Sequence, residues 1–131
     1  MLENVVIVDV MFVIVEERKI MKTQSAKAKG RRFQQWVRDQ LIERLNVHPE
    51  DIESRSMGAG GEDLIMARAA REKFPYSIEC KNQEKVNLWE SYKQAEENSG
   101  SYEPVVFVKR NNHKPLVVVD ANYFINLHKK T

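Results

Sequence analysis

The sequence predicts a mixed α/β (α+β) fold: a central mixed sheet flanked by helices, in the order α-β-β-β-α-β-β-α, with an extra N-terminal strand. Three observations carry that expectation. Apolar residues recur at helical spacing over residues 30–45 and again over 86–98, the signature of two half-buried helices. Short runs rich in Val and Ile lie between and after them, bounded by Gly, Pro and Asn. At 131 residues, with 42% hydrophobic and 31% charged residues, the chain is long enough for one core and has the balance of a single globular domain.

The order follows from the N-terminus. Residues 5–15 are almost wholly apolar, interrupted by Asp9, and their β-branched content reads as a strand that adds to a sheet edge or a dimer contact. The run is too short for a bilayer, which needs about 20 apolar residues. Glu3 before it and Glu16-Glu17 after it do not suit a signal peptide. Residues 1–20 are therefore a strand or, with Met21 as the start, an appended segment; the main domain is 21–131. Residues 21–30 are small, polar and basic and read as a flexible lead-in. The first helix carries Phe33, Trp36, Val37, Leu41 and Leu45 on one stripe, with Phe33 and Trp36 as core anchors, and Asn46 and Pro49 end it. One helical turn at 49–51 leads to a strand at 52–56.

Residues 58–81 are the centre of the chemistry. Gly58, Gly60 and Gly61 make a turn, Asp63 opens a short apolar run, a charged turn occupies 68–73, and Tyr76 to Lys81 forms a second run. Paired as an antiparallel hairpin, the two runs bring Asp63 opposite Glu79. Period-two alternation puts Glu79 and Lys81 on one face and turns Cys80 away. After the loop at 82–85, the second helix carries Leu88, Tyr92 and Ala95 with Trp89 beside them. Strands follow at 104–108 and 116–119, and Asp120 caps a last helix to Leu127.

Composition narrows the function. The net charge is only +2, yet eight cations and no acid lie between Arg18 and Arg38, a one-signed stretch that either meets phosphate or is a solvated tail. The single cysteine, Cys80, allows no internal disulfide and fits a reducing cytoplasm. His48, His113 and His128 are scattered, and the chain has neither CxxC nor HExxH, which argues against a structural zinc. The glycines are not a phosphate-binding P-loop, because no Gly-Lys-Ser/Thr follows. Asp63 and Glu79 suit a hard divalent cation, with the Cys80 backbone carbonyl as a further ligand. Lys81 is placed to orient water or stabilise transition-state charge. The bland alternative is an exposed Asp–Lys–Glu ion-pair cluster.

Gly60-Gly61-Glu62-Asp63 followed by Ile78-Glu79-Cys80-Lys81, in this element order over residues 27–119, resembles the PD-(D/E)xK nuclease superfamily. Within it the chain is most similar to small archaeal and phage Holliday-junction resolvase-like endonucleases. Lys29-Gly30 matches the pair that opens their first helix, and residues 56–61 match their serine–glycine turn. The resemblance implies a restriction-endonuclease-like core, Mg2+ (or Mn2+) on Asp63 and Glu79, a catalytic Lys81, and a trailing Gln94. It implies a cytoplasmic, DNA-cleaving homodimer that uses no membrane and acts on branched or duplex DNA. Lys29, Arg31, Arg32, Gly60, Gly61, Asn82 and Gln83 are the expected nucleic-acid contacts.

Two positions depart from the pattern. Glu62 replaces the proline before the Asp. Gln34 stands where resolvase-like enzymes carry a metal-binding Glu, so either Gln34 is a weaker ligand, or Glu62 compensates, or the subclass differs. A non-catalytic nucleic-acid-binding module and a restriction-type enzyme are the alternative readings.

Overall fold

The computed structural model describes residues 2–55 and 60–130, with side chains from residue 24 onwards. It is a mixed α+β arrangement of four helices and two sheets among the described residues. Helix α1 is Leu2–Leu45 and is followed by a 3-10 turn at Pro49–Asp51. Strands β1 (Ile52–Ser54) and β2 (Leu64–Met66) pair antiparallel, Ser54 opposite Leu64, as a two-stranded sheet. Helix α2 (Arg68–Lys73) leads to β3 (Tyr76–Asn82), then α3 (Leu88–Glu97), β4 (Glu103–Lys109), β5 (Leu116–Val118) and α4 (Ala121–Asn126). The second sheet has the order β3-β4-β5, with β3 and β4 parallel and β4 and β5 antiparallel, so it is mixed as expected.

The two helices sandwich that sheet. Phe33, Val37 and Leu41 of α1 are buried against Ile78 and Val105 and against Ile52 and Leu64. On the opposite face Ala95 and Tyr92 of α3 pack on Val106 and Val108. α1 ends at Asn46, whose φ of 56° is the left-handed conformation that Asn tolerates better than other non-glycine residues. Asn87 caps α3 by accepting the Glu90 N–H at 3.1 Å, and Asp120 caps α4 by accepting the Tyr123 N–H at 2.8 Å. Among the described residues no helix is long and apolar enough to cross a membrane.

Several expectations are corrected. The apolar N-terminal run is not an extra strand: residues 2–20 and the expected flexible lead-in at 21–30 are the first turns of α1. A helix satisfies its backbone groups internally without a strand partner, and β-branched residues lower helix propensity by only about 0.7 kcal/mol each or less. The hairpin is also replaced. β2 pairs with β1, and the charged segment after it is the helix α2. The strand expected at 52–56 ends at Ser54, and residues 56–59 lie outside the described residues. Trp36 is 42% exposed and stacks along Phe33 at 6.0 Å between centroids, so Phe33 alone of the two is the core anchor. Trp89, expected beside the buried stripe of α3, is 84% exposed.

Candidate active site

Among the described residues β3 is an edge strand of its sheet, paired with β4 on one side. Its other edge receives Asp63. The Asp63 N–H donates to the Ile78 carbonyl at 3.0 Å, and the Asp63 Oδ2 accepts the Cys80 N–H at 2.6 Å. A charge-assisted bond of that length fixes the carboxylate firmly. Asp63 thus reaches Glu79 as expected, although through two bonds to a strand edge rather than through a hairpin ladder. The N–H and C=O of one strand residue point to the same side, so the Cys80 carbonyl also faces Asp63. The Cys80 side chain turns to the α1 core, as the alternation predicts. Glu79 and Lys81 share the other face, with Lys81 Nζ 3.6 Å from Glu79 Oε1.

The pair is electrostatically unusual. Glu79 is 4% exposed, and burial, followed by the negative charge of Asp63, pushes its carboxyl up to about 7; Lys81 opposes the shift. Burial also raises Asp63, against the opposing pull of the Cys80 N–H and the Lys81 charge. The two carboxyl groups are neighbours, and the negative charge of Asp63 disfavours ionisation of Glu79, so Glu79 keeps its proton to higher pH than an ordinary carboxyl. Cys80 is raised well above the ordinary thiol range by burial and by both carboxylates, so it is not a ready nucleophile.

These groups stand in one open cleft of about 650 Å³. Gly60, Gly61 and Asp63 form one wall, residues 79–83 of β3 and its following loop the floor, and Gly30 and Gln34 of α1 the opposite side. α3 closes it with Gln94, Glu97 and Asn98. The cleft therefore gathers Gln34, Gly60, Gly61, Asp63, Glu79, Cys80, Lys81, Asn82, Gln83 and Gln94, which lie far apart in sequence. It does not gather the three basic residues expected at the first helix. Lys29 is held 3.4 Å from Glu84, and Arg31 and Arg32 are exposed outside the lining; among the described side chains Lys27 is the α1 cation in the cleft. The helix begins before Gly30, so no local marker says which basic side chain faces inward.

Gln34 is 2% exposed, and its Oε1 accepts the Ser54 hydroxyl at 2.8 Å, tying α1 to β1. Glu62 does not compensate for it. Its carboxylate is 2.5 Å from the Arg71 guanidinium, which in turn lies 4.2 Å over the Tyr102 ring, and Glu62 is outside the cleft lining. Among the described residues no third carboxylate, histidine or thiol joins Asp63 and Glu79 in a metal-binding cluster.

Besides Lys27, two groups escaped sequence reasoning. Arg55 donates to the Gly60 carbonyl at 2.6 Å and its guanidinium lies beside Gly61, whose φ of 89° is the conformation that favours glycine there. Arg55 also lowers the Asp63 carboxyl, a role no local pattern signals. Glu97 is the second. Its spacing of three from Gln94 on α3 was the available sign that both face one way.

Set against known proteins, no family model matches the chain, and no curated protein or solved structure matches it.

Proposed function

We propose that the chain is a divalent-metal-dependent DNA endonuclease with a restriction-endonuclease-like core, hydrolysing phosphodiester bonds in the β3-edge cleft. The observation that supports this most is the bond from the Cys80 N–H to the Asp63 carboxylate. It brings a carboxylate from the two-stranded sheet beside Glu79 and Lys81 of the three-stranded one.

The donor set fits Mg2+ or Mn2+. Asp63 Oδ1, the Glu79 carboxylate and the Cys80 carbonyl are hard oxygen donors gathered at β3, and a cation between the two carboxyl groups would offset the burial and the Asp63 charge that hold Glu79 up. Such an ion supplies Lewis-acid activation of water and of a phosphoryl oxygen. The protein's part is positional. Asp63 is fixed by its backbone bonds, Lys81 offers its ammonium to charge that develops on the phosphate, and Gln94 faces the same space from α3. Gly60 and Gly61 let a phosphodiester backbone approach closely, and Asn82, Gln83 and Lys27 offer it hydrogen bonds and charge.

Lys81→Ala is expected to lower cleavage of branched and linear DNA by about 100- to 1000-fold, with DNA binding largely retained. Cleavage by Lys81→Ala at the wild-type rate would sink the assignment. If the resolvase-like subclass holds, two symmetric cuts require a twofold homodimer, and a cytoplasmic site of action follows from its DNA substrate.

One observation favours a second reading, a non-catalytic nucleic-acid-binding module. Gln34 is used structurally, through Ser54, at the position where an acidic ligand is expected. Titration with magnesium discriminates the two: heat that disappears in both Asp63→Asn and Glu79→Gln supports the nuclease.

A further inference from the structure

Beyond the carboxyl ends of β3 and β4 the cleft continues into a second groove of about 260 Å³, and Gln83 lines both. The register sets Asn82 of the cleft beside Lys109, and the Gln83 N–H donates to the Lys109 carbonyl at 3.1 Å, so the two spaces share one backbone wall. The groove has an apolar floor, including Val86 and Leu88, beneath a basic rim of Lys109, Arg110 and Lys114. Its one lining acid is Glu84, whose carboxylate already accepts the Asn111 N–H at 3.0 Å and faces Lys29 at 3.4 Å. The rim thus presents net positive charge. Leu88 also lines a neighbouring groove with Tyr92, Val118 and Trp89, and Trp89 there is 84% exposed, an unusual state for a large aromatic whose burial would release more free energy than almost any other side chain.

We propose that this groove is the track for a single-stranded segment of the nucleic acid bound in the cleft, with the rim cations on its phosphates and Trp89 as a base-stacking platform. The proposal rests on the nucleic-acid reading of the cleft and deepens it to a substrate class: DNA with an unpaired arm next to the scissile bond. Charge complementarity selects the occupant. A basic rim over an apolar floor, with an exposed aromatic in the groove that adjoins it at Leu88, offers phosphates and unstacked bases their separate partners. A blunt duplex keeps its bases inside and has no use for the floor or for Trp89.

The test measures binding in chelator, without cleavage. Fluorescence anisotropy is read for a labelled duplex carrying a single-stranded arm and for the same duplex with blunt ends. The wild type is expected to hold the armed duplex more tightly. Trp89→Ala is expected to weaken the armed duplex by about 5- to 100-fold and leave the blunt one unchanged, with Trp89→Phe restoring most of the loss. Lys109→Gln, Arg110→Gln and Lys114→Gln together are expected to flatten the salt dependence for the armed duplex by about two units of logarithmic slope. All four side chains belong to exposed or rim positions, and circular dichroism verifies that each variant folds. Equal wild-type affinity for both duplexes, or groove variants that bind the armed duplex like the wild type, would overturn the proposal. So would displacement of the DNA by polyglutamate at equal charge. Lys81→Ala keeps the two readings apart: if it cleaves normally the nuclease assignment fails, while the armed-over-blunt preference still decides the groove.

Discussion

At the scale of single residues, the Asp63–Glu79 pair sets a pH dependence whose sign is fixed by its environment. Glu79 titrates near 7 in the folded protein against 4.5 in a free chain, so the native state keeps a proton that the unfolded chain releases. The stability that Glu79 contributes in chelator is therefore fullest below about pH 4.5, falls as pH rises through that window, and is lost above about pH 7. The raised Asp63 carboxyl acts in the same direction. Urea denaturation at pH 5 and pH 8 reads this directly, and Glu79→Gln should flatten the difference. A stability contributed by this pair that increases from pH 5 to pH 8 would contradict the raised Glu79 carboxyl. If the proposed site takes magnesium, the same linkage predicts binding that tightens as pH rises towards 7, because the ion would displace the Glu79 proton.

At the scale of elements, α1 is the scaffold to which the site is anchored, and Arg38 is its main polar clamp. Its Nε donates to the Ile52 carbonyl and its Nη2 to the Pro49 carbonyl, both at 3.0 Å, joining the helix to the 3-10 turn and β1. Hydrogen bonds from a charged donor contribute about 1.5–3 kcal/mol each, less where solvent reaches them, so Arg38→Met should lower stability by roughly 2 kcal/mol. A melting temperature equal to wild type would show the clamp to be idle. Arg38 also shows where sequence legibility stops. Phe33, Val37 and Leu41 were readable as one buried face because helical periodicity is local. Likewise β4 could be read from its run Pro-Val-Val-Phe-Val and α4 from its cap Asp120. Partners chosen by tertiary contact could not be read. Nothing in a three-residue apolar run says that β2 prefers β1 to β3, and the six residues of α2 looked like a turn because four of them are charged. The start of α1 was misplaced because Gly30, a weak helix former, sits inside a helix held by its neighbours. In the site, Asp63, Glu79 and Lys81 were legible from residue type and alternation. Arg55 and Lys27 were not, since their place depends on loop course and helix rotation.

At the scale of the whole molecule, the candidate site is the seam between two sheets. Asp63 adjoins β2 of one sheet, Glu79 lies on β3 of the other, and the direct backbone bonds described between them are those of Asp63 with Ile78 and Cys80. A cation held by both carboxylates would cross-link the sheets and oppose any opening that parts them. A ligand at about one hundred times its dissociation constant adds roughly 2.7 kcal/mol to the state that binds it, equivalent to about a hundredfold slower opening equilibrium. Magnesium is therefore expected to slow amide hydrogen exchange at Asp63, Cys80 and β1–β2 by up to about that factor. Amides whose exchange does not require this opening, such as those at the exposed end of α4, should be little affected. Asp63→Asn keeps an oxygen to accept the Cys80 N–H but gives up the charge, so its exchange in chelator should remain near wild type while the magnesium effect disappears. Equal slowing in wild type and Asp63→Asn, or slowing spread evenly over the chain, would place the cation elsewhere and remove the seam as the metal site.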